Sequence, residues 1–368
     1  MKKRTVLLII SLVLFLLSAV LLTLVIYGLT GAMPKSMKEA ARIQQSISQY
    51  EEAEPEPLLG NVYNRETISL NGEWKALISP SRKNILNDFR HFIERNLQPD
   101  SPSDLVEFSF DNGLVLEVPG DWNTQDERLI FYTGKVWYKN EFDLKKSSGK
   151  NYFLYFGAIN YLAEVYLNGE LIGKHKGGFT PFNFDITGKI KNGNNLLVIS
   201  ADNTITDDDI PTSSTDWLNY GGITREVKLV SLPGKYIENY QIQLAPDKGN
   251  EITGFVKVAG KGAGGYVSLE IPELNISEKI SVKESLATVK IPADPDRWSP
   301  ASPKLYTVKL GYGKDRVADR IGFRTIAVKD QELLLNDEPV FLKGISIHEE
   351  ALGVKGRATD LQDAIELL

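Results

Sequence analysis

Cysteine is missing from all 368 residues, which excludes disulfides, thiolate metal ligands and a cysteine nucleophile. Export remains compatible with this composition, without oxidative folding. An excess of basic charge is missing too. The net charge is −6 and the pI near 5.4, so there is no electrostatic reason to expect nucleic acid as a partner. The chain has no glycine-rich phosphate loop, no metal-ligand cluster and no nucleophile-elbow serine, so neither a metal nor a cofactor is expected. Asp207-Asp208-Asp209 lacks the alternating ligands of a calcium loop and reads as a solvated turn. Long apolar runs are lacking as well, with one exception.

That exception is residues 6–27, apolar except for Ser11, Ser18 and Thr23 and preceded by Lys2, Lys3 and Arg4. As a helix rising about 1.5 Å per residue, it can span a hydrocarbon core of about 30 Å. It is longer than the apolar part of a cleavable signal, roughly 7–15 residues. Gly28-Leu29-Thr30-Gly31-Ala32 also matches a cleavage site poorly. The expectation is a transmembrane signal-anchor over residues 1–30, with the globular part on the extracytoplasmic side. Secretion after cleavage is the alternative. Residues 31–60 read as a juxtamembrane linker that includes the acidic, proline-containing spacer Glu51-Glu52-Ala53-Glu54-Pro55-Glu56-Pro57.

The remainder has 42% hydrophobic residues over the whole chain to draw on, enough for a real core. Over residues 61–232, short β-rich runs alternate with Asn71-Gly72, Asn112-Gly113, Pro119-Gly120, Asn168-Gly169 and Asn192-Gly193. Asn and Gly tolerate the positive φ of tight turns, so these pairs predict strand reversals in a β-sandwich. Residues 81–97 break the pattern with Ile85, Leu86, Phe89, Phe92, Ile93 and Leu97 near a 3.6 period, an inserted amphipathic helix. Residues 233–325 predict a second, immunoglobulin-like sandwich without a cysteine pair. Residues 326–368 read as a hairpin, then a doubly buried strand over 341–347, then a helix capped by Thr359 and Gln362 with Leu361, Ala364, Ile365 and Leu368 as its apolar stripe. One βα unit of a barrel that needs eight is expected there, a truncated TIM barrel whose helix leaves its stripe uncovered.

Six strings carry a resemblance. They are Leu70-Asn71-Gly72-Glu73-Trp74, Val118-Pro119-Gly120-Asp121-Trp122, Tyr132-Thr133-Gly134-Lys135-Val136-Trp137-Tyr138, Val165-Tyr166-Leu167-Asn168-Gly169, Gly177-Gly178-Phe179-Thr180-Pro181-Phe182 and Asp216-Trp217-Leu218-Asn219-Tyr220-Gly221-Gly222-Ile223-Thr224-Arg225. In this order they resemble the N-terminal, sugar-binding-type domain of glycoside hydrolase family 2, which includes β-galactosidases, β-glucuronidases and β-mannosidases. Ile321-Gly322-Phe323-Arg324-Thr325 resembles that family's junction into its barrel. Phe341-Leu342-Lys343-Gly344-Ile345-Ser346-Ile347-His348-Glu349 resembles the first barrel strand. Ser346 and Ile347 stand where Asn and Arg are usual, which leaves the glycone open.

The resemblance implies a retaining β-glycosidase with two catalytic glutamates on later barrel strands. Neighbouring Glu349 and Glu350 cannot substitute, because alternation keeps them from converging on one bond. No catalytic residue is therefore expected here, and the chain alone is expected to be inactive. The alternative is a membrane-anchored carbohydrate-binding or scaffold protein. His348 matches a histidine of the family's sugar pocket and is expected to hydrogen-bond a glycone hydroxyl. Glu349 matches its acidic neighbour, although one of the two should point away. Asp202 aligns with a loop aspartate that reaches the glycone. Trp74, Trp122, Trp137 and Trp217 are expected in the core, Gly221-Gly222 at a close backbone approach, and Arg225 in a pair with a buried carboxylate.

Overall fold

Among the described residues ten strands come first: β1 (Glu66–Ser69), β2 (Gly72–Ile78), β3 (Leu114–Val118), β4 (Lys135–Leu144) and β5 (Lys150–Phe156), then β6 (Leu162–Leu167), β7 (Glu170–Lys176), β8 (Phe182–Asp185), β9 (Gly193–Asp202) and β10 (Val227–Pro233). The computed structural model describes residues 58–79, 110–246, 249–351 and 356–368. The expected anchor, most of the linker and the helix expected over 81–97 lie outside the described residues. Among those described, no helix is long and apolar enough to cross a membrane.

Alternation decides the layers. β6 buries Ala163, Val165 and Leu167 and half-exposes the residues between them, as a pleated strand with one core face must. The strands form a six-stranded antiparallel sheet, β3-β2-β4-β9-β6-β7, and a four-stranded one, β1-β10-β5-β8. Trp74, Trp122, Tyr138, Phe156, Leu167 and Ile199 interdigitate in the core between them. The asparagine-glycine pairs behave differently from one another. Asn168-Gly169, with φ of 54° and 89°, turns β6 back onto its hydrogen-bonded neighbour β7. Asn71-Gly72 and Asn192-Gly193 instead carry the chain from the four-stranded to the six-stranded sheet. A dipeptide fixes the local turn, whereas the partner strand is a tertiary matter.

The second sandwich packs β11 (Lys235–Leu244), β12 (Glu251–Gly260) and β15 (Leu286–Pro292) against β13 (Gly265–Ile271), β14 (Ile276–Val282), β16 (Tyr306–Tyr312) and β17 (Asp315–Ile321). Its core includes Ile237, Val256, Leu269, Val289, Tyr306 and Phe323. A smaller cluster covers the outer face of the four-stranded sheet with Leu59, Val62 and Tyr236 packed on Phe153, Tyr155, Val230 and Leu232. A buried ion pair, Arg65 to Asp315 at 3.2 Å, lies beside it.

After the sandwiches come β18 (Ile326–Lys329), β19 (Glu332–Leu335) and β20 (Glu338–Pro339), a small antiparallel sheet turning at Asp330-Gln331 and Asn336-Asp337. The expected strand over 341–347 is not formed. Phe341, Leu342 and Ile345 are exposed, because no described strand pairs with this stretch and a parallel strand is stable only between neighbours. The expected βα unit is therefore reduced to its helix, α1 (Leu361–Glu366). Its cap is one residue later than expected: Asp360 accepts from the Asp363 N–H at 2.9 Å, while Asp363 accepts from the Thr359 N–H at 3.1 Å. Aspartate adjacent to the first helical residue is the stronger cap. Leu361, Ala364, Ile365 and Leu368 are exposed, as the uncovered stripe predicted.

Candidate functional site

The connection from β9 to β10 is long, and its sequence folds it back over one end of the first sandwich. Asp209 is its inner anchor. The carboxylate accepts from the Thr206 N–H at 2.7 Å and the Thr206 hydroxyl at 2.9 Å, and it pairs with Lys176 Nζ at 2.6 Å. It is only 6% exposed, a correction confined to Asp209, since Asp207 and Asp208 are exposed as a solvated loop requires. A buried carboxylate is tolerated because these partners replace its water. Burial works against its charge, but Lys176 and Thr206 outweigh that and hold its pKa below the ordinary value.

Further along, Asn219 and Asn203 exchange side-chain-to-backbone bonds of 2.5 and 2.9 Å. Asn160 donates to the Asn219 amide oxygen at 2.9 Å and to the Tyr220 carbonyl. Gly221 then passes so close to the buried Trp122 ring that a Cβ would overlap it, and Gly222 has a φ of 129°. The close approach expected of this glycine pair is present. Its consequence is to present Trp217, Leu218 and Tyr220 along one wall.

The opposite wall is residues 346–350. Glu350 and Arg357 form an isolated antiparallel bridge, closed by Ala351 N–H to the Gly356 carbonyl at 2.7 Å. Arg357 is 3% exposed. Its guanidinium donates to Thr224 Oγ1 at 3.1 Å, the Gly178 carbonyl at 3.3 Å and Glu349 Oε2 at 3.0 Å, and lies 4.3 Å over the Phe179 ring. Arg225 takes the other oxygen, Nη2 to Oε1 at 2.5 Å. Arg225 pairs with a carboxylate, Glu349, but with a half-buried one rather than the buried one expected. Burial works against the Glu349 charge, but the two guanidiniums outweigh it and hold its pKa below the ordinary value.

Between the walls is a cleft of about 420 Å³. Phe179, Pro211, Trp217, Leu218 and Ile347 form its apolar side, and Asn160, Asn219, Tyr220, His348 and Glu350 its polar side. His348 meets Trp217 edge-on, with centroids 5.2 Å apart and planes at 64°. Aromatic faces beside amide, phenol and imidazole groups suit a ligand with both C–H faces and hydroxyls. No cluster of possible metal ligands occurs among the described residues. A second cleft of about 530 Å³ opens beside β11 and β17. Tyr240 there is already bonded to Asn61 and Asp319.

Of the expected site residues, His348 and Glu349 line the first cleft and Asp202 does not. The Asp202 carboxylate accepts from the Thr204 N–H at 2.9 Å, capping the end of β9. Trp74 and Trp122 are core residues, but Trp137 is half-buried on the outer sheet face and Trp217 is 39% exposed in the cleft. Indole size favours burial only where the backbone turns it inward, and the 203–226 loop turns Trp217 outward. Arg357, Asn160 and Phe179 were not foreseen. The run Gly177-Gly178-Phe179 was the available signal, since a Gly178 Cβ would collide with the Asn160 amide.

Two models of one family match in tandem: "Glycosyl hydrolases family 2, sugar binding domain" over residues 67–233 and "Glycosyl hydrolases family 2" over residues 235–324. The chain belongs to glycoside hydrolase family 2. Among its relatives, a putative β-glucuronidase of Formosa agariphila is 29% identical over 80% of this chain and 38% of its own length. A β-galactosidase of Thermoanaerobacter pseudethanolicus is 30% identical over 71% of this chain and 39% of its own. Among solved structures, the β-glucuronidase of Bifidobacterium dentium complexed with coumarin-3-O-glucuronide superposes with a TM-score of 0.65 at 25% identity, covering 86% of this chain and 57% of that one. An uncultured Clostridium sp. β-glucuronidase gives 0.64 at 26%, covering 82% and 52%. This family 2 chain thus spans about two-fifths of those relatives and about half of those solved chains.

Proposed function

We propose that the chain forms the sandwich side of a glycoside-binding cleft in a retaining β-glycosidase of family 2 acting on β-glucuronides, β-galactosides or related glycosides. The observation that carries this reading is the Trp217–His348 pair at the mouth of a mixed apolar and polar cleft. Trp217 stacks on a sugar C–H face, and His348 hydrogen-bonds a glycone hydroxyl. Asp202 is the weaker candidate ligand, reaching the sugar only if it exchanges its bond to Thr204. The two catalytic glutamates are not among the residues of this chain. Glu349 is read as structural instead, because each of its oxygens is bonded to a guanidinium. Residues 6–27 anchor the protein in a membrane, with the sandwiches on the extracytoplasmic side.

The same commitment of Glu349 favours a second reading, a membrane-tethered protein that binds glycosides without hydrolysing them. One experiment separates the outcomes. Methyl β-D-glucuronide, β-D-galactoside and β-D-mannoside are titrated into the full chain by calorimetry, and the matching aryl glycosides are assayed for turnover. Millimolar binding of at least one methyl glycoside is expected, weakened about three- to tenfold by Trp217→Ala, in keeping with the worth of one aromatic contact. Absence of binding to all three would remove the glycoside reading. Turnover by this chain would refute the placement of both glutamates elsewhere.

A further inference from the structure

Arg357 is a cation almost wholly buried at the base of the cleft, and its partners come from three separate stretches of the first sandwich. Besides Thr224 and the Gly178 carbonyl, its backbone N–H donates to Asp121 Oδ2 at 3.1 Å. Gly356, with a φ of 77°, passes so near Asp121 and Thr124 that a Cβ would overlap both. Asp121 takes the backbone N–H, while Thr224 and Gly178 offer the guanidinium only neutral oxygens, and a buried guanidinium without a paired carboxylate is strongly destabilising. Glu349 is the carboxylate bonded to the guanidinium, and it is half-buried. Burial lowers the Arg357 pKa, and Glu349 opposes that shift most strongly. Glu349 also reaches Arg225 on the strand entry of β10. The carboxylate therefore joins its segment to the sandwich directly at Arg225, and through Arg357 at Thr224 and the Gly178 carbonyl, immediately beside His348.

We infer that Glu349 is a positioning residue whose ion pairs with Arg225 and Arg357 clamp residues 346–351 and 356–358 onto the first sandwich and hold His348 against Trp217. Its part in ligand binding rests on the glycoside reading above; its part in holding the segment does not. The clamp explains how two walls far apart in the chain keep one cleft geometry. It also gives the charge at this position a use other than touching sugar: Glu349 acts through His348.

The test is hydrogen exchange on the full chain carrying Glu349→Gln, which keeps the side-chain volume and removes the charge. The Ala351, Arg357 and Ala358 amides are expected to exchange about tenfold or more faster, while amides of β4, β9, β12 and β16 keep their rates. Arg225→Met is expected to give the same local pattern more weakly, and Arg225→Lys to restore part of it. Affinity for whichever methyl glycoside binds the parent chain is expected to fall in Glu349→Gln as it does in Trp217→Ala. Unchanged exchange at these three amides would overturn the inference. Acceleration spread evenly over both sandwiches would overturn it too, by making Glu349 a general stability residue. Local acceleration in a chain that binds none of the three glycosides would uphold the clamp and reject the glycoside reading.

Discussion

Replacing Asp315 by alanine removes the carboxylate paired with Arg65, at a site where their side chains are 2% and 6% exposed. Arg65 Nη1 lies 3.2 Å from Asp315 Oδ2, and Nη2 donates to the Ile237 carbonyl at 2.6 Å. The same carboxylate oxygen accepts from the Ile237 N–H at 2.8 Å. Burial already lowers the Arg65 pKa, with Asp315 the strongest opposing influence. Breaking a buried pair by removing one partner costs about 3–5 kcal/mol. Leaving the Ile237 N–H without its acceptor adds about 1 kcal/mol. Because the two effects share one atom they do not add fully, so a loss of about 4 kcal/mol is expected. Urea unfolding of the full chain followed by far-ultraviolet circular dichroism reads it. The double variant Arg65→Met with Asp315→Leu is expected to recover most of the loss, because burial of an ion pair is nearly offset by its desolvation. A single-variant loss under about 1 kcal/mol, or a double variant no better than the single one, would refute the reasoning.

Gly221→Ala is expected to cost about 1–3 kcal/mol by overpacking, because the added methyl meets the fully buried Trp122 ring; thermal unfolding with near-ultraviolet dichroism checks it, and an unchanged midpoint would contradict it. Glu349 has a depressed pKa, so its contribution is complete above the ordinary glutamate value of about 4.3 and is lost as pH falls below that through the folded-state value. Exchange at Ala351 and Ala358, corrected for intrinsic rates, is therefore expected to be slow at neutral pH and to accelerate in acid, and acceleration on raising the pH would contradict the assignment.

The parts of the fold that were legible are those whose causes are local. β6 and β15 declare their core faces by strict alternation, and Asn168-Gly169 declares a tight turn because both residues accept positive φ. The mainly β character and the family strings were readable for the same reason: each is a short pattern with its own geometry. The apolar run over 341–347 misled, because hydrophobicity states a preference for burial and cannot supply the neighbouring strands that provide it. Four similar tryptophan contexts hid the one, Trp217, that faces a cleft.

What the sequence alone determined about this protein is where the strands and turns of its two sandwiches fall, and which family those strings belong to, because alternation, positive φ and motif spacing act within a few residues. Only the tertiary structure decided which side chains make the cleft. Arg357 has no local mark. It matters because Thr224, Gly178 and Asp121, 133 to 236 residues earlier, converge on it, and a buried charge takes its role from whatever surrounds it.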